Sequence, residues 1–132
     1  RRTAAGMDYN RVNLLLAVLE KRLRLSLSNS DVYINIAGGI RMNEPALDLA
    51  IVMALISSYK DRPLDEKTIV FGEVGLSGEV RAVSMAEQRV HEAVKMGFTR
   101  CILPMVNVSK LKPRSDIRLE GVANVREAIG LL

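Results

Sequence analysis

The sequence predicts an α/β domain with a small mixed sheet. Three observations carry this prediction. Helically spaced apolar residues alternate with short β-rich runs, one helix is apolar on every side, and a glycine-punctuated hairpin joins two helix–strand units. The chain has 132 residues, 48% of them hydrophobic, which is enough for one packed core and too few for a second. We therefore expect residues 1–132 to form a single domain.

Composition argues against a membrane protein, a disulfide-bonded protein and a zinc protein. The longest apolar run, Leu49 to Ile56, is far shorter than the roughly 20 residues needed to cross a bilayer, and the N-terminus lacks the order of a signal peptide. A soluble cytoplasmic protein without membrane contact is expected. One cysteine and one histidine, Cys101 and His91, cannot supply an internal disulfide or a four-ligand zinc site. The start at Arg1, without methionine, suggests a piece of a longer protein.

The first third of the chain predicts a helix followed by a strand. Residues 1–7 could be a strand end or an arm, and Asp8 then offers an N-cap. From Tyr9 to about Arg22 the apolar positions fall at helical spacing, which predicts an amphipathic helix packed on a sheet. Residues 31–36 alternate in polarity and predict a strand.

The stretch from Ala37 to Ser58 joins a glycine loop to the most apolar helix of the chain. Pro45 suits a helix start, and the helix over about 46–58 is apolar all round, so it should be enclosed by the domain. Asp48 is the lone charge of its first turn, which fits the positive end of the helix dipole better than catalysis. Such a loop is where enzymes place nucleophiles, but Ala46 has no reactive atom.

The middle of the chain predicts a strand, a hairpin and a second helix. Residues 68–71 form a β-rich apolar run expected to be a central strand, and 72–83 reads as a hairpin turning at Ser77-Gly78. No GK[ST] follows these glycines, so nucleotide binding is not expected here. Ser84 to Glu87 has the form of a capping box opening a helix over 84–96, with Arg89 at the edge of its apolar stripe.

The last third of the chain is predicted to continue the alternation of strands and helices. Residues 100–103 predict a strand that joins 68–71 through a right-handed crossover, with Cys101 in the core rather than acting as a nucleophile. A short helix near 108–111, a basic loop over 110–114, a strand over 117–122 and a closing helix capped by Asn124 follow.

Two blocks resemble a known family: EPALDLAIVMALISS, residues 44–58, and FGEVGLSGEVRAVSMAEQRVHEAVKMGFTRCILP, residues 71–104. They are similar to the proteolytic domain of Lon proteases, whose fold resembles ribosomal protein S5 domain 2. The resemblance implies that the serine of a Ser-Lys dyad falls on Ala46 and its lysine on Arg89. Alanine has no hydroxyl, and a guanidinium cannot act as a neutral base, so peptide hydrolysis by this dyad is not expected.

Three segments resemble another family more closely than they resemble Lon proteases: RRTAAGMDYNRVNLLLAVLEKR, AGGIRMNEPALDLA and FGEVGLSGEVR. They are similar to the C-terminal domain of the RadA (Sms) family of bacterial DNA-repair proteins. That resemblance implies a domain without enzyme activity in a longer protein. The family forms hexameric rings, binds single-stranded or branched DNA, acts with the recombinase RecA and drives ATP-dependent branch migration. ATP, magnesium and zinc belong to the parts of the family's proteins that lie outside these residues.

Three hypotheses stay open at this point. The first is a domain for assembly and DNA contact, in which basic side chains hold phosphates without reading sequence. Its candidate contacts, chosen for charge and loop or flank position, are Arg41, Arg81, Arg89, Lys110, Lys112 and Arg114. The second is a peptidase with another nucleophile, for which Ser57, Ser58 and Ser84 are available but have no base beside them, and His91 is expected to be solvated. The third is a scaffold that contacts only protein.

Overall fold

The computed structural model describes residues 1–39 and 42–132 and confirms the mixed α/β class. Its strands and helices alternate along most of the chain. The elements in order are β1 (Arg2–Ala5), α1 (Tyr9–Leu23), β2 (Val32–Asn35), α2 (Asp48–Lys60), β3 (Thr68–Val70), β4 (Glu73–Val74), β5 (Val80–Arg81), α3 (Ala86–Lys95), β6 (Arg100–Pro104), α4 (Met105–Val108), β7 (Arg118–Val122) and α5 (Val125–Ile129).

The strands divide into three hydrogen-bonded sets rather than one sheet. Strands β1 and β2 pair in parallel, β4 and β5 form the antiparallel hairpin, and β3, β6 and β7 form a parallel sheet in the order β3-β6-β7. The expected parallel pairing of β3 with β6 is confirmed. The expectation that β3 is central is wrong, because β6 has partners on both sides and has four consecutive buried residues.

Helix α2 begins as the sequence predicts but is not enclosed on every side. Pro45–Leu47 forms a 3-10 turn that leads directly into α2. The buried residues are Asp48, Leu49, Ile51, Val52, Met53 and Ile56. Ala54 is exposed and Leu55 half-buried, because on that side of the helix both line an open groove shared with β2.

The helix starts agree with the sequence in two cases and differ in one. Asp8 caps α1 and Asn124 caps α5, each by accepting a hydrogen bond from a backbone N–H. The capping box expected at Ser84 is absent: α3 starts after Met85, whose backbone is left-handed (φ 59°) and whose side chain makes no cap. Helix α4 lies at 105–108 rather than near 108–111, because it follows directly from Pro104 at the end of β6.

Two groups of buried apolar side chains form the core. The larger group joins α1, α2 and α5 with β2, the hairpin and the inner side chains of β6 and β7. The smaller group lies between α3 and the β3-β6-β7 sheet and includes Ala46, Phe71 and Cys101. The start of α2 therefore lies where the two groups meet. Among the described residues, no helix is both long and apolar enough to span a membrane.

Candidate functional site

An open groove of about 580 Å³ lies between the start of α2, the strand β3 and the outer face of α3. Its walls include Ala46, Phe71 and Arg89, and two exposed methionines, Met85 and Met96, form its rim on the α3 side. The two positions that the Lon resemblance singles out, Ala46 and Arg89, therefore line one groove although they are far apart in sequence. Neither the loop before α2 nor the helix α3 could form this groove alone.

Backbone contacts fix the position of Ala46. Its side chain is buried, its N–H donates to Glu44 Oε1 at 3.3 Å, and its carbonyl accepts from the Gly72 N–H at 2.8 Å. The Gly72 carbonyl in turn accepts from the Leu49 N–H at 2.9 Å. A Cβ at Gly72 would stand 3.1 Å from side-chain atoms of Leu49 and Val80, so glycine allows this close approach. Gly72 thus ties the end of β3 to the start of α2.

Three contacts hold Arg89 at the groove. Its Nε donates to the Ser84 carbonyl at 2.9 Å and one terminal nitrogen donates to Glu44 Oε1 at 3.2 Å. The guanidinium carbon lies 5.9 Å from the centre of the Phe71 ring, within cation–π distance. Glu44 therefore bridges the two positions that the Lon resemblance singles out, since one of its oxygens accepts from both Ala46 and Arg89. Sequence reasoning did not identify Glu44 or Phe71 as part of this site.

The described side chains that line the groove offer no hydroxyl, thiol, amine or imidazole: they include no Ser, Thr, Cys, Lys or His. Two carboxylates, Glu44 and Glu92, do line it, and Glu44 accepts hydrogen bonds from Ala46 and Arg89. A guanidinium cannot act as the neutral base that a lysine provides, and the side chain of Ala46 has no atom that could form an acyl-enzyme.

The other candidate nucleophiles lie elsewhere. The Ser57 hydroxyl donates to the Arg62 carbonyl at 2.6 Å, and Ser58 and Ser84 are exposed. His91 is exposed on α3, as expected from the sequence. Cys101 is fully buried in β6, and burial raises the pKa of its thiol to about 12, so it is a core residue that stays protonated.

A buried ion pair supports the start of α2 from the opposite side. Asp48 is 2% exposed, accepts two hydrogen bonds from the Arg11 guanidinium, one of them at 2.9 Å, and accepts a third from the Val74 N–H at 3.0 Å. The hydrogen bonds to Asp48 raise the pKa of Arg11. Asp48 was expected to interact with the helix dipole of α2. Its hydrogen bonds give it a second role, because they link α2 to α1 and to the hairpin.

The six candidate DNA contacts differ in their surroundings. Arg81 pairs with Glu79 at 3.3 Å and Glu73 at 3.9 Å, Arg89 pairs with Glu44, and Arg114 makes a two-point pair with Asp116. Lys110 and Lys112 are exposed. Arg41 lies outside the described residues. Of the five described residues, Lys112 and Arg114 line one small pocket with Glu87, whereas Arg81 and Arg89 pair with other carboxylates. Contact of the six residues with DNA stays a prediction.

Comparison with known proteins shows which family and which relatives the chain is similar to. The model of the family described as subunit ChlI of Mg-chelatase matches residues 8–107. The DNA repair protein RadA of Bacillus subtilis (strain 168) is 53% identical over 129 residues, which is 98% of this chain and 28% of that protein. RadA of Listeria monocytogenes is 46% identical over the same share of each chain, and RadA of Streptococcus pneumoniae is 43% identical, with 31% of its length covered.

These matches extend over nearly all of the chain, which itself spans less than a third of the length of the curated relatives it matches. The resemblance to RadA inferred from the sequence is confirmed. The chain belongs to the family described as subunit ChlI of Mg-chelatase, and its relatives are DNA repair proteins of which it corresponds to the C-terminal part.

Proposed function

We propose that this chain is a non-catalytic domain of a DNA repair protein and that it contacts DNA and further copies of itself. The observation that carries the proposal is the groove in which Glu44 joins Ala46 to Arg89. It brings together the two positions that the Lon resemblance assigns to the dyad while its described residues offer no hydroxyl for attack. The DNA part rests on the relatives, which are DNA repair proteins.

The absence of peptidase activity is tested with an unstructured protein substrate and a fluorophosphonate probe. We expect neither hydrolysis nor labelling, because the groove has no serine and Arg89 cannot accept a proton at neutral pH. Labelling that disappears in the Ser57→Ala/Ser58→Ala/Ser84→Ala variant would overturn the proposal. Labelling that persists in that variant would also overturn it and would exclude those three serines.

DNA contact of the proposed kind is electrostatic. Lysine and arginine side chains hold phosphates by charge, release counterions and do not distinguish bases. Of the candidates selected from the sequence, Lys110 and Lys112 are exposed, whereas Arg81, Arg89 and Arg114 would have to exchange a carboxylate for a phosphate. We therefore expect the paired arginines to contribute less than the lysines.

The affinity of the chain for a labelled single-stranded oligonucleotide is measured at several salt concentrations. We expect binding that weakens as salt rises, and a smaller slope in the Arg81→Ala/Lys110→Ala/Arg114→Ala variant, by at most about 2 for three lost phosphate contacts. An unchanged slope would remove these three residues from the interface. No binding by the unaltered chain would overturn DNA contact itself.

Self-association is the second part of the proposal. For the longer proteins of the family, the resemblance implies a hexameric ring, ATP-dependent branch migration, RecA as partner, and ATP, magnesium and zinc in other parts. For this chain we expect oligomers whose formation depends on concentration, measured by light scattering with and without a DNA oligonucleotide. A scaffold without DNA contact would associate equally in both conditions and would bind no DNA. A monomer at every concentration would count against self-association by this domain alone.

A further inference from the structure

The positively charged side chains fall into two groups that differ in their surroundings. Within residues 1–39 and 42–132, eight of them form ion pairs with carboxylates: Arg2, Arg11, Arg81, Arg89, Lys95, Arg100, Arg114 and Arg118. The others in that part of the chain have no carboxylate within 4.0 Å of their side-chain nitrogens: Arg1, Lys21, Arg22, Arg24, Lys60, Arg62, Lys67, Lys110, Lys112 and Arg126. The second group is available to an external anion.

Four of these residues lie at or beside the end of α1. Lys21 and Arg22 belong to its last turn, Arg24 is its C-cap, and Arg126 comes from α5. A terminal nitrogen of Arg126 donates to the Arg22 carbonyl at 2.7 Å, which brings the two elements together across 104 positions of sequence. All four residues are exposed. We call these four residues the α1-end surface.

The carboxylates nearest to this surface in sequence are already engaged. Glu20 lies 3.8 Å from Arg2, and Glu127 Oε1 accepts from the Ala123 N–H at 2.7 Å. Glu79, on the hairpin, accepts from the Ser77 N–H and pairs with Arg81. Because Glu20 is paired with Arg2 and Glu127 keeps its charge, the four residues together with Glu127 carry a formal charge of +3.

The remaining unpaired cations lie among carboxylates. Residues 60–67 carry Lys60, Arg62 and Lys67, and the same segment carries Asp61, Asp65 and Glu66, so its formal charge is zero. Near Lys110 and Lys112, Arg114 is neutralised by Asp116, and Glu87 shares a small pocket with Lys112 and Arg114. With Glu127 counted, the formal charge is +3 at the end of α1, against zero over residues 60–67 and +1 for Lys110, Lys112 and Arg114 with Asp116 and Glu87. The α1-end surface is therefore the most positive of these three groups.

The end of a helix explains how these cations can lie together without carboxylates. The free carbonyls of the last turn carry partial negative charge, which stabilises nearby lysine and arginine. Arg126 uses one of its donors in this way, on the Arg22 carbonyl. The charges that remain face solvent, where a chain of phosphates can reach several of them at once.

We propose that the α1-end surface is where this chain holds the phosphate backbone of single-stranded DNA. This inference rests on the proposed DNA contact and names a surface for it that differs from all six residues selected from the sequence. The four residues include no aromatic side chain for base stacking. Binding there is therefore independent of base sequence and sensitive to salt.

The test variant is Lys21→Gln/Arg24→Asn/Arg126→Gln, which removes three charges. Asparagine suits position 24, where φ is 56° and the backbone is left-handed, and glutamine keeps a donor at position 126. Arg22 is left unchanged because its stem lies against the hairpin turn at Gly78. The matched control is Lys60→Gln/Arg62→Gln/Lys67→Gln, which changes net charge equally on the segment whose formal charge is zero. A third variant, Lys21→Arg/Arg24→Lys/Arg126→Lys, keeps the charges.

Fluorescence anisotropy of a labelled oligonucleotide is measured from low to moderate salt, and circular dichroism checks folding of each variant. We expect the test variant to lose about tenfold or more in affinity at low salt and about 2 in the slope of log affinity against log salt. We expect the charge-conserving variant to bind like the unaltered chain, and the control to change much less than the test variant. If the test variant does not fold, Lys21→Gln/Arg24→Asn replaces it, because the Arg126 hydrogen bond is then kept.

Two results would overturn the inference while leaving DNA contact in place. Binding by the test variant equal to that of the unaltered chain would show that phosphates lie elsewhere. Equal losses in the test and control variants would show a response to net charge without a local surface. If the unaltered chain binds no DNA, both this inference and the proposed DNA contact fail.

Discussion

Asp48 is a charged side chain buried at the start of α2, and the free energy of its burial depends on the groups that pair with it. Its carboxylate accepts from Arg11 and from the Val74 N–H, so both oxygens have partners in an apolar setting. A buried charge is tolerated when it is paired and hydrogen-bonded, and it becomes costly when one partner is removed. Arg11 keeps a third of its side chain exposed, which reduces the cost on its side of the pair.

We expect Asp48→Ala to lower the free energy of unfolding by about 2–4 kcal/mol, because it leaves Arg11 and the Val74 N–H without their acceptor. Asp48→Asn should cost less, since its amide oxygen can still accept from one donor. Urea unfolding measures both changes. Asp116→Asn serves as the control, because that carboxylate forms its pair with Arg114 at the surface. Equal effects at positions 48 and 116 would contradict a special role for the buried pair.

At the scale of elements, an N-terminal cap predicted from the sequence forms at α5 but not at α3. The capping box predicted for α3 fails because Met85 adopts a left-handed conformation and the helix starts at Ala86. The side chain of the buried Asn107 instead bonds both the N–H and the carbonyl of Val83, which fixes the loop before α3. Helix α5 has the reciprocal arrangement: Asn124 accepts from the Glu127 N–H, and Glu127 accepts from the Ala123 N–H.

We expect Asn124→Ala to destabilise the domain by about 1 kcal/mol, because the Glu127 N–H loses its acceptor. Ser84→Ala should change stability by less than about 0.5 kcal/mol, since the Ser84 side chain caps no helix. The urea midpoints of the two variants make the comparison directly. A larger loss from Ser84→Ala than from Asn124→Ala would show that α3 is capped in solution as the sequence alone suggests.

For the whole molecule, the strand β6 joins the sheet to the C-terminal end of the chain. The Arg100 guanidinium makes a two-point pair with Glu120 on β7 and also donates to the Leu131 carbonyl at 3.2 Å. Hydrogen bonds from Arg100 lower the pKa of Glu120 from its ordinary value of 4.5, and Arg118 adds to this effect. The carboxylate is only 20% exposed, so solvent screens the pair incompletely.

The Arg100–Glu120 pair should make the free energy of unfolding depend on pH, with stability falling as the pH is lowered. Because the folded pKa of Glu120 is lowered, its contribution is present in full above the unfolded value near 4.5 and is lost as the pH falls through the folded pKa. Glu120→Gln should therefore lose stability at pH 7 and show a weaker decline between about pH 5 and pH 3. Urea midpoints across that range measure the decline, with Glu66→Gln, in an exposed loop, as control. Parallel curves for the unaltered chain and Glu120→Gln would refute the assignment.

Much of the fold could be predicted from local patterns. Helical spacing predicted α1, a proline followed by an apolar run predicted α2, alternation predicted β2, and Asp8 and Asn124 marked true helix starts. These features depend on neighbours in sequence, so a sequence pattern is sufficient to reveal them. The side of α2 that stays partly exposed and the edge position of β3 could not be predicted, because both depend on which elements pack against them.

The sequence by itself determined the α/β class and the relation to DNA repair proteins, and its resemblance to Lon proteases implied that Ala46 and Arg89 stand at the positions of a Ser-Lys dyad. Only the tertiary structure decided that these two residues share a groove bridged by Glu44 and that Asp48 is paired with Arg11. It also decided which arginines are neutralised by carboxylates and which face solvent at the end of α1. The physical reason is that charge pairing and burial depend on distances between elements, which residue spacing along the chain does not specify.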